Sequence, residues 1–211
     1  MRSRLLRSAA VALACACLAL PAQAQKVKIG YLATMTNNGA LFGRDMLDAF
    51  NLAVEEAGGR LGGLETQIIV QDDQEKPEIG RQLADKLVEA DKVDIVVGLS
   101  NSTVLLAVER QILDAGVFLI GTNAGPSQLA GKGCHENLFI TSWQNDNSSE
   151  AMGKYLHDQG VKSVYLMAPN FPAGRDKLTG FKRFFQGNVV GEVYTQFRPE
   201  RELNRQHNNA Q

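Results

Sequence analysis

The chain has 211 residues, and its 22 basic and 23 acidic side chains give a formal net charge of −1 at pH 7. This balance leaves no polybasic surface, so the composition argues against nucleic acid or an anionic membrane as a partner. The length allows one complete hydrophobic core and part of a second.

The amino terminus has the pattern of an export signal. Three arginines within the first seven residues precede an apolar stretch at 9–20, which is too short to span a bilayer. Residues 22–24, Ala-Gln-Ala, fit the small-x-small rule for cleavage. We therefore expect a signal peptide at 1–24, cleavage after Ala24, and a mature protein in the periplasm.

The cysteines fit the same interpretation. Cys15 and Cys17 lie inside the predicted signal peptide, where lipidation is the alternative, but neither has a leucine at the lipobox position. Cys134 is then the only cysteine of the mature chain and has no internal disulfide partner. We expect it to be a small, partly buried thiol; the alternative is a bridge to a partner chain.

Apolar strands alternate with amphipathic helices along the rest of the chain. Alternating or continuous apolar runs predict strands at 27–33, 66–71, 94–97, 117–120, 138–141, 163–168 and 189–197. Apolar residues at helical spacing predict five helices. The first is expected at 41–57, with Leu47, Phe50, Val54 and Ala57 on its buried face, and the fourth at 147–159. For the other three, the expected buried faces are Ile79, Leu83 and Leu87 in the helix that begins at Pro77; Leu105, Val108 and Ile112 in the third; and Leu178, Phe181 and Phe185 in the fifth.

Regular alternation of strand and helix predicts an α/β fold, with a doubly wound, mostly parallel sheet and helices on both faces. Such sheets bind ligands beyond the carboxyl ends of their strands, at the point where the strand order reverses. Four loops are expected at this edge, at 34–43, 72–74, 98–103 and 121–127.

The loop at 98–103 is a candidate carboxylate site. It is rich in small polar residues and leads directly into a helix, with Asn101 or Ser102 as the N-cap. Free backbone N–H groups and the positive end of the helix dipole favour a carboxylate at such a position. The loop by itself is equally consistent with N-capping in the absence of a ligand.

No catalytic or metal-binding constellation accompanies these loops. Residues 98–102 begin like a nucleophile elbow around Ser100, but the fifth residue is not glycine and no suitable Asp…His pair follows. Asp72 and Asp73 lack a third nearby ligand and are interpreted as a solvated turn that caps the helix at Pro77. The three histidines lack metal-ligand spacing. We therefore expect no enzyme activity, no cofactor and no metal.

Seven segments in chain order resemble one protein family. They are KIGYLAT, AFNLAVEEAGG, QDDQEKP, VDIVVGLSNSTVLLAV, GTNAGPSQLAGKG, TSWQNDNSSEAMGKYL and YLMAPNFPAGRDKLTGFKRFF. Over residues 26–197 the chain resembles the periplasmic solute-binding proteins of branched-chain amino-acid-type ABC transporters, the leucine-binding-protein-like family. The resemblance implies the type I periplasmic-binding-protein fold, in which two α/β lobes close over a ligand.

The resemblance also implies a function. The expected protein is a monomer that captures a branched-chain amino acid or a related small organic acid, including an aromatic one, and delivers it to an ABC permease in the inner membrane. Two alternatives stay open. The same fold serves ligand-sensing receptor modules, and the chain is short enough to be a degenerate, non-functional fragment.

The resemblance assigns roles to individual residues. Ser102 and Thr103 match the positions that bind the ligand carboxylate, while Ala124 and Gly125 match those that hold its head group. Gly125 stands where the leucine binder has a hydroxyl side chain, which weakens a strict α-amino-acid assignment. The full set of candidate ligand-binding residues is Asn101, Ser102, Thr103, Asn123, Ala124, Gly125, Trp143, Asn170 and Phe171.

Trp143, Asn170 and Phe171 complete this set, each with an alternative role. Trp143 lies at the expected crossover between lobes, where it walls the cleft or packs at the hinge. Asn170 and Phe171 match the place where the second lobe presents an aromatic ring, or they cover the end of the sheet.

The expected domains are a complete first lobe at 25–143 and a partial second lobe at 144–197. The tail at 198–211 is rich in Arg, Asn and Gln and is interpreted as disordered or as sequence from a wrong reading frame. With a partial second lobe, we expect the apolar faces of Phe181, Phe184 and Phe185 to lack cover.

Overall fold

The computed structural model of the chain describes residues 25–196. The predicted signal peptide and the tail at 198–211 lie outside the described residues. The strands are β1 (Lys26–Ala33), β2 (Arg60–Leu61), β3 (Leu64–Asp72), β4 (Ile95–Gly98), β5 (Phe118–Gly121), β6 (Leu138–Ile140), β7 (Ser163–Pro169) and β8 (Asn188–Thr195). The α-helices are α1 (Ala40–Glu56), α2 (Pro77–Asp85), α3 (Ser102–Asp114), α4 (Asn147–Asp158) and α5 (Pro172–Phe184).

The strands form two sheets. The first has the order β2-β3-β1-β4-β5-β6 and is parallel except for the antiparallel pair β2–β3. The second pairs β7 with β8 in parallel. The predicted α/β class with a doubly wound, mostly parallel sheet is confirmed.

The antiparallel hairpin of β2 and β3 contains a strand, β2, that was not among those predicted from the sequence. Gly62 and Gly63 join β2 to β3 with φ angles of 58° and 81°. Two consecutive positive φ angles match the twist of paired antiparallel strands, and glycine adopts them without steric cost. The Gly-Gly pair therefore adds a short strand at the edge of the sheet.

The first sheet buries apolar side chains on both of its faces. On one face, Leu32 of β1 packs in a core with the predicted α3 stripe of Leu105, Val108 and Ile112, and all four are fully buried. On the other face, Tyr31 packs in a second core that α1 covers. This double cover explains why the strands of the sheet interior are almost entirely apolar.

The expected buried face of α1 is only partly correct. Val54 is buried, and Leu47 and Phe50 pack against the core beneath the helix. Ala57 is exposed, because the helix ends at Glu56 and the chain turns away through Gly58.

The second sheet has its own core. Leu166 and Leu178 pack there with Phe181 and Phe185, which are 7% and 6% exposed. The expectation that these two rings lack cover is wrong, because α4 and α5 pack together over one face of the sheet; only Phe184 is largely exposed. The side chains Tyr165, Met167 and Val190 of β7 and β8 are exposed.

Two further expectations are wrong. Cys134 is exposed rather than partly buried, because it follows a short 3-10 turn at Gly131–Gly133 on the surface. Asp73 does not belong to a solvated turn, because its side chain is completely buried beneath the loop that follows β1.

None of the helices within residues 25–196 combines the length and apolarity that a bilayer crossing requires.

Candidate functional site

A cleft of about 300 Å³ lies beyond the carboxyl ends of β1 and β4, the two neighbouring strands at which the strand order reverses. This is the position at which doubly wound sheets bind ligands. Residues of α5, the helix that packs on the second sheet, form the opposite wall. The lining residues are Thr34, Asn38, Gly39, Phe42, Glu75, Ser100, Asn101, Ser102, Asn123, Ala124, Trp143, Asn145, Phe171, Ala173 and Lys177.

Local backbone geometry brings the loop after β4 against β1. Gly98 has a φ of 120°, and a Cβ atom there would lie 2.4 Å from the carbonyl oxygen of Leu32. Only glycine tolerates both conditions. Leu99 then turns the chain with a φ of 63° and is fully buried, which places Asn101 at the start of α3.

The amino terminus of α3 borders the cleft. Asn101 is the N-cap, and its Oδ1 accepts a hydrogen bond of 2.7 Å from the N–H of Thr103. Ser102, the first helical residue, is 4% exposed and lines the cleft. The other first-turn N–H groups have no partner within the helix and share its positive dipole end. This end of α3 suits an anionic group.

A buried polar network joins this helix end to the second sheet. The Nδ2 group of Asn145 donates to Ser102 Oγ at 3.2 Å and to Asp176 Oδ2 at 3.0 Å. Asp176 lies on α5 and is 6% exposed. It also accepts hydrogen bonds from the N–H of Ser127 at 3.1 Å and from Gln128 Nε2 at 3.2 Å.

The turn after β3 supplies a second hydrogen-bond network, in which the pKa values of two adjacent carboxyl groups shift in opposite directions. Asp72 accepts hydrogen bonds from the backbone of Met35 and Gln74 and from the Thr36 hydroxyl. Burial acts to raise the pKa of Asp72, but these hydrogen bonds together lower it below its ordinary value.

Asp73 has the opposite shift. Burial raises the pKa of its carboxyl, although its Oδ1 accepts from Thr34 Oγ1 at 2.5 Å and from the N–H of Glu75 at 2.8 Å. Its Oδ2 has no hydrogen-bond partner among the described residues. Asp73 therefore orders the loops after β1 and β3 beneath the cleft.

Two charged side chains of opposite sign line the cleft. Glu75 Oε1 accepts a hydrogen bond of 3.2 Å from Asn101 Nδ2, and burial raises the pKa of the Glu75 carboxyl. Lys177 lies on α5 at the other wall and forms no ion pair within the described part of the chain.

Most of the residues proposed from the sequence lie together. Those that line the cleft are Asn101, Ser102, Asn123, Ala124, Trp143 and Phe171. Three do not line it. The N–H of Thr103 is bound by the N-cap, Gly125 lines a neighbouring pocket, and Asn170 is exposed and accepts a hydrogen bond from Arg175.

Gly125 has a structural reason for lacking a side chain. A Cβ atom at this position would lie 2.3 Å from the carbonyl oxygen of Trp143. The N–H of Asn145 also donates to the Gly125 carbonyl at 2.8 Å. Close packing of the crossover segment on this loop therefore requires glycine, whatever the ligand is.

Several lining residues were not identified from the sequence. Thr34, Asn38, Gly39 and Phe42 lie in the predicted loop at 34–43, and Glu75 directly follows the predicted loop at 72–74. For Asn145, Ala173 and Lys177 no sequence signal exists, because their place depends on how the second sheet packs against the first.

The hydroxyl group of Ser100, around which the sequence begins like a nucleophile elbow, contacts the backbone of the loop after β1. Ser100 Oγ accepts from the N–H of Thr34 at 3.2 Å, and none of the described histidine and cysteine residues lines the cleft. Within residues 25–196, no three His, Cys, Asp or Glu side chains are placed together to hold a metal.

Comparison with known proteins identifies the fold. A family model described as a periplasmic binding protein matches residues 26–211. An ABC-transporter solute-binding protein from Rhodopseudomonas palustris in complex with benzoate has 26% identity and a TM-score of 0.79, covering 88% of this chain and 52% of that one. A solute-binding protein from R. palustris BisB5 in complex with 3,4-dihydroxybenzoic acid has 25% identity and a TM-score of 0.76, with the same coverage.

A third structure shows a likeness in fold alone. The branched-chain amino acid transporter substrate-binding protein from Streptococcus pneumoniae, in complex with isoleucine, has 23% identity and a TM-score of 0.73, covering 87% of this chain and 54% of that one. The chain spans about half the length of these structures. No match was found among curated proteins.

Proposed function

Because the chain belongs to the periplasmic binding protein family, we propose that it is the extracytoplasmic solute-binding component of an ABC importer. It captures a small carboxylic acid, either an aromatic acid or a branched-chain amino acid, and delivers it to a permease in the inner membrane. The ABC-transporter proteins that hold benzoate and 3,4-dihydroxybenzoic acid support this choice of ligands.

One observation carries the proposal: the amino terminus of α3 opens into the cleft with Ser102 at its first position. The ligand carboxylate accepts hydrogen bonds from the Ser102 hydroxyl and from first-turn N–H groups, where the helix dipole favours negative charge. Lys177 on the opposite wall adds a cation that attracts the same anion. Because Lys177 lies on α5, an attraction between Lys177 and the ligand couples ligand binding to the position of α5 and the second sheet.

The rest of the cleft suits an apolar ligand body. Phe42, Trp143 and Phe171 line it, and the Trp143 side chain is 70% exposed. Such rings bind aromatic or branched aliphatic groups by contact and exclude water from them. The cleft volume of about 300 Å³ is at the small end of the range for ligand pockets and fits a small acid.

The proposed organisation keeps the boundaries given by the sequence. A signal peptide at 1–24 directs export, a first lobe spans 25–143, and a second lobe begins at 144. The protein acts in the periplasm as a monomer, with the ABC permease as its macromolecular partner. The export pattern of the first 24 residues and the family membership support this organisation.

Trp143 is the only tryptophan of the chain, which permits a direct binding test. We expect titration with benzoate, 3,4-dihydroxybenzoate or isoleucine to change its fluorescence saturably. Ser102→Ala removes one hydrogen bond to the carboxylate, and we expect affinity to fall about tenfold. The matched control Ser148→Ala, on the exposed first turn of α4, should bind as wild type. Absence of saturable binding for all three acids contradicts the proposal.

A second experiment separates transport from sensing. Deleting the coding sequence in its host should abolish uptake of the radiolabelled acid, and restoring it should return uptake. A Ser102→Ala copy should restore uptake only at higher acid concentration. If uptake is unchanged while transcription ceases to respond to the acid, the chain is a receptor module instead.

A further inference from the structure

Glu75 is held in a strained turn at the edge of the cleft. Gln74 and Glu75 both have left-handed backbone conformations, with φ angles of 52° and 60°. Residues other than glycine rarely adopt this region, because doing so is energetically costly. Asp73 holds the turn by accepting from the N–H of Glu75, and Asn37 Nδ2 donates to the Gln74 carbonyl at 3.0 Å.

The Glu75 carboxylate is half-buried and forms no ion pair with any described residue. Its Oε1 accepts from Asn101 Nδ2, while Oε2 forms no hydrogen bond within residues 25–196. Burial raises the pKa of this carboxyl, and the nearby Asp73 carboxylate acts in the same direction. A carboxylate that lines the cleft and has an oxygen without a protein partner is placed to accept a hydrogen bond from a ligand.

Asn101 ties Glu75 to the proposed carboxylate site. The Oδ1 atom of Asn101 accepts from the N–H of Thr103 at the start of α3, and its Nδ2 donates to Glu75. Glu75 is therefore fixed relative to the helix end at which the ligand carboxylate binds. A ligand whose only polar group is a carboxylate brings a second negative charge near Glu75 and offers it no donor. Such an arrangement discriminates by repulsion.

We propose that Glu75 is a specificity-determining residue, which selects acids carrying a hydrogen-bond donor in addition to their carboxylate. The donor is an ammonium group, as in an amino acid, or a hydroxyl group, as in a hydroxylated aromatic acid. Donor-free acids of the same shape bind more weakly. The inference rests on the proposed function, because it requires that the cleft takes a carboxylic acid.

The test compares matched pairs of acids by Trp143 fluorescence and by calorimetry. One pair is isoleucine and its deaminated analogue 3-methylpentanoate, and the other is 3,4-dihydroxybenzoate and benzoate. In wild type we expect the donor-bearing member of one pair to bind at least about tenfold more tightly than its analogue. The pair that shows this preference identifies the donor as an ammonium or a hydroxyl group.

Glu75→Gln should reduce that preference about tenfold, because a hydrogen bond to a charged acceptor becomes one to a neutral acceptor. We expect Glu75→Gln to bind the donor-free acid more tightly, and the donor-bearing acid more weakly, than wild type does. The substituted amide side chain keeps a carbonyl acceptor for Asn101, so the fold is retained. Glu78→Gln, three residues away on the exposed face of α2, is the matched control and should keep the wild-type preference.

The outcomes are distinguishable. If the acids bind wild type but both preferences are absent, or survive Glu75→Gln, then the role of Glu75 is contradicted and the proposed function stands. If none of the four acids binds wild type, the proposed function fails and the inference fails with it.

Discussion

Single residues in this fold take their properties from long-range partners. Asp72 and Asp73 are adjacent, yet the pKa of one carboxyl is lowered and that of the other is raised. Asp72 remains partly exposed and accepts hydrogen bonds from three donors, whereas Asp73 is completely buried with one oxygen unpartnered among the described residues. Both carboxylates fasten the loop after β1, and through it they shape one wall of the cleft.

The lowered pKa of Asp72 predicts how its contribution depends on pH. Because the folded-state pKa lies below the unfolded value of about 4, Asp72 stabilises the fold above that value and loses this contribution as the pH falls through the folded-state pKa. Asp72→Ala should lower stability by about 1–2 kcal/mol at pH 7. The difference from wild type should shrink below about pH 4.

Thermal unfolding between pH 3 and pH 8 measures this dependence. Asp85→Ala, which removes an exposed carboxylate from the last turn of α2, is the control and should change stability by less than about 0.5 kcal/mol. A destabilisation by Asp72→Ala that is the same at every pH would show that packing, rather than the charged hydrogen bonds, accounts for it.

At the scale of elements, α5 is fastened to the first sheet by polar contacts. Asp176 accepts from three donors of the loop and crossover segments, all of them neutral. Arg183, two turns further along α5, forms ion pairs with the buried Asp146 and with Glu150. The Asp176 contacts set the position of α5, and hence of Lys177, across the cleft from α3, while the Arg183 ion pairs hold α5 to the start of α4.

Removing the Asp176 carboxylate should therefore affect both stability and binding. Asp176→Ala removes the acceptor that donors on Ser127, Gln128 and the buried Asn145 share, and we expect a loss of about 2–3 kcal/mol. Affinity for the acid should also fall, because Asn145 contacts Ser102. Asp158→Ala breaks only an exposed pair with Lys154 and should cost less than about 1 kcal/mol.

Chemical denaturation and Trp143 titration of these two variants test the role of Asp176. Equal stabilities for Asp176→Ala and Asp158→Ala would contradict it. Loss of stability with unchanged affinity would limit Asp176 to a structural role.

The sequence predicts elements well where one local pattern determines them. The stripe of Leu105, Val108 and Ile112 is confirmed because helical spacing alone places these residues on one face. Asn101 is the N-cap because a short polar side chain precedes the apolar run of α3. The β2–β3 hairpin was missed, because two-residue strands carry almost no periodicity.

Burial and contacts between distant segments are less predictable. The burial of Asp73 depends on Thr34, which is 39 residues away, and the position of Lys177 depends on how α5 packs. Six of the nine residues proposed for the ligand site line the cleft, whereas most of the polar side chains that complete it were not identified. Local patterns locate loops at the sheet edge but do not specify which side chains point inward.

At the scale of the whole molecule, the cleft exists because two sheets meet across it. The segments connected to the first sheet supply the amino terminus of α3 and the turn that holds Glu75. The segments connected to the second sheet supply Phe171 and Lys177. The ligand, in the proposed function, lies between them and contacts both. Binding should therefore stabilise the arrangement of the two sheets as well as the cleft itself.

A crystal structure of the chain with a bound acid tests the central claim most directly. We expect the carboxylate within hydrogen-bonding distance of Ser102 or of the first-turn N–H groups of α3, with the body of the acid against Trp143 and Phe171. An acid bound instead in the neighbouring pocket beside Gly125 and His135, or an empty cleft at a saturating concentration of the acid, would contradict the claim.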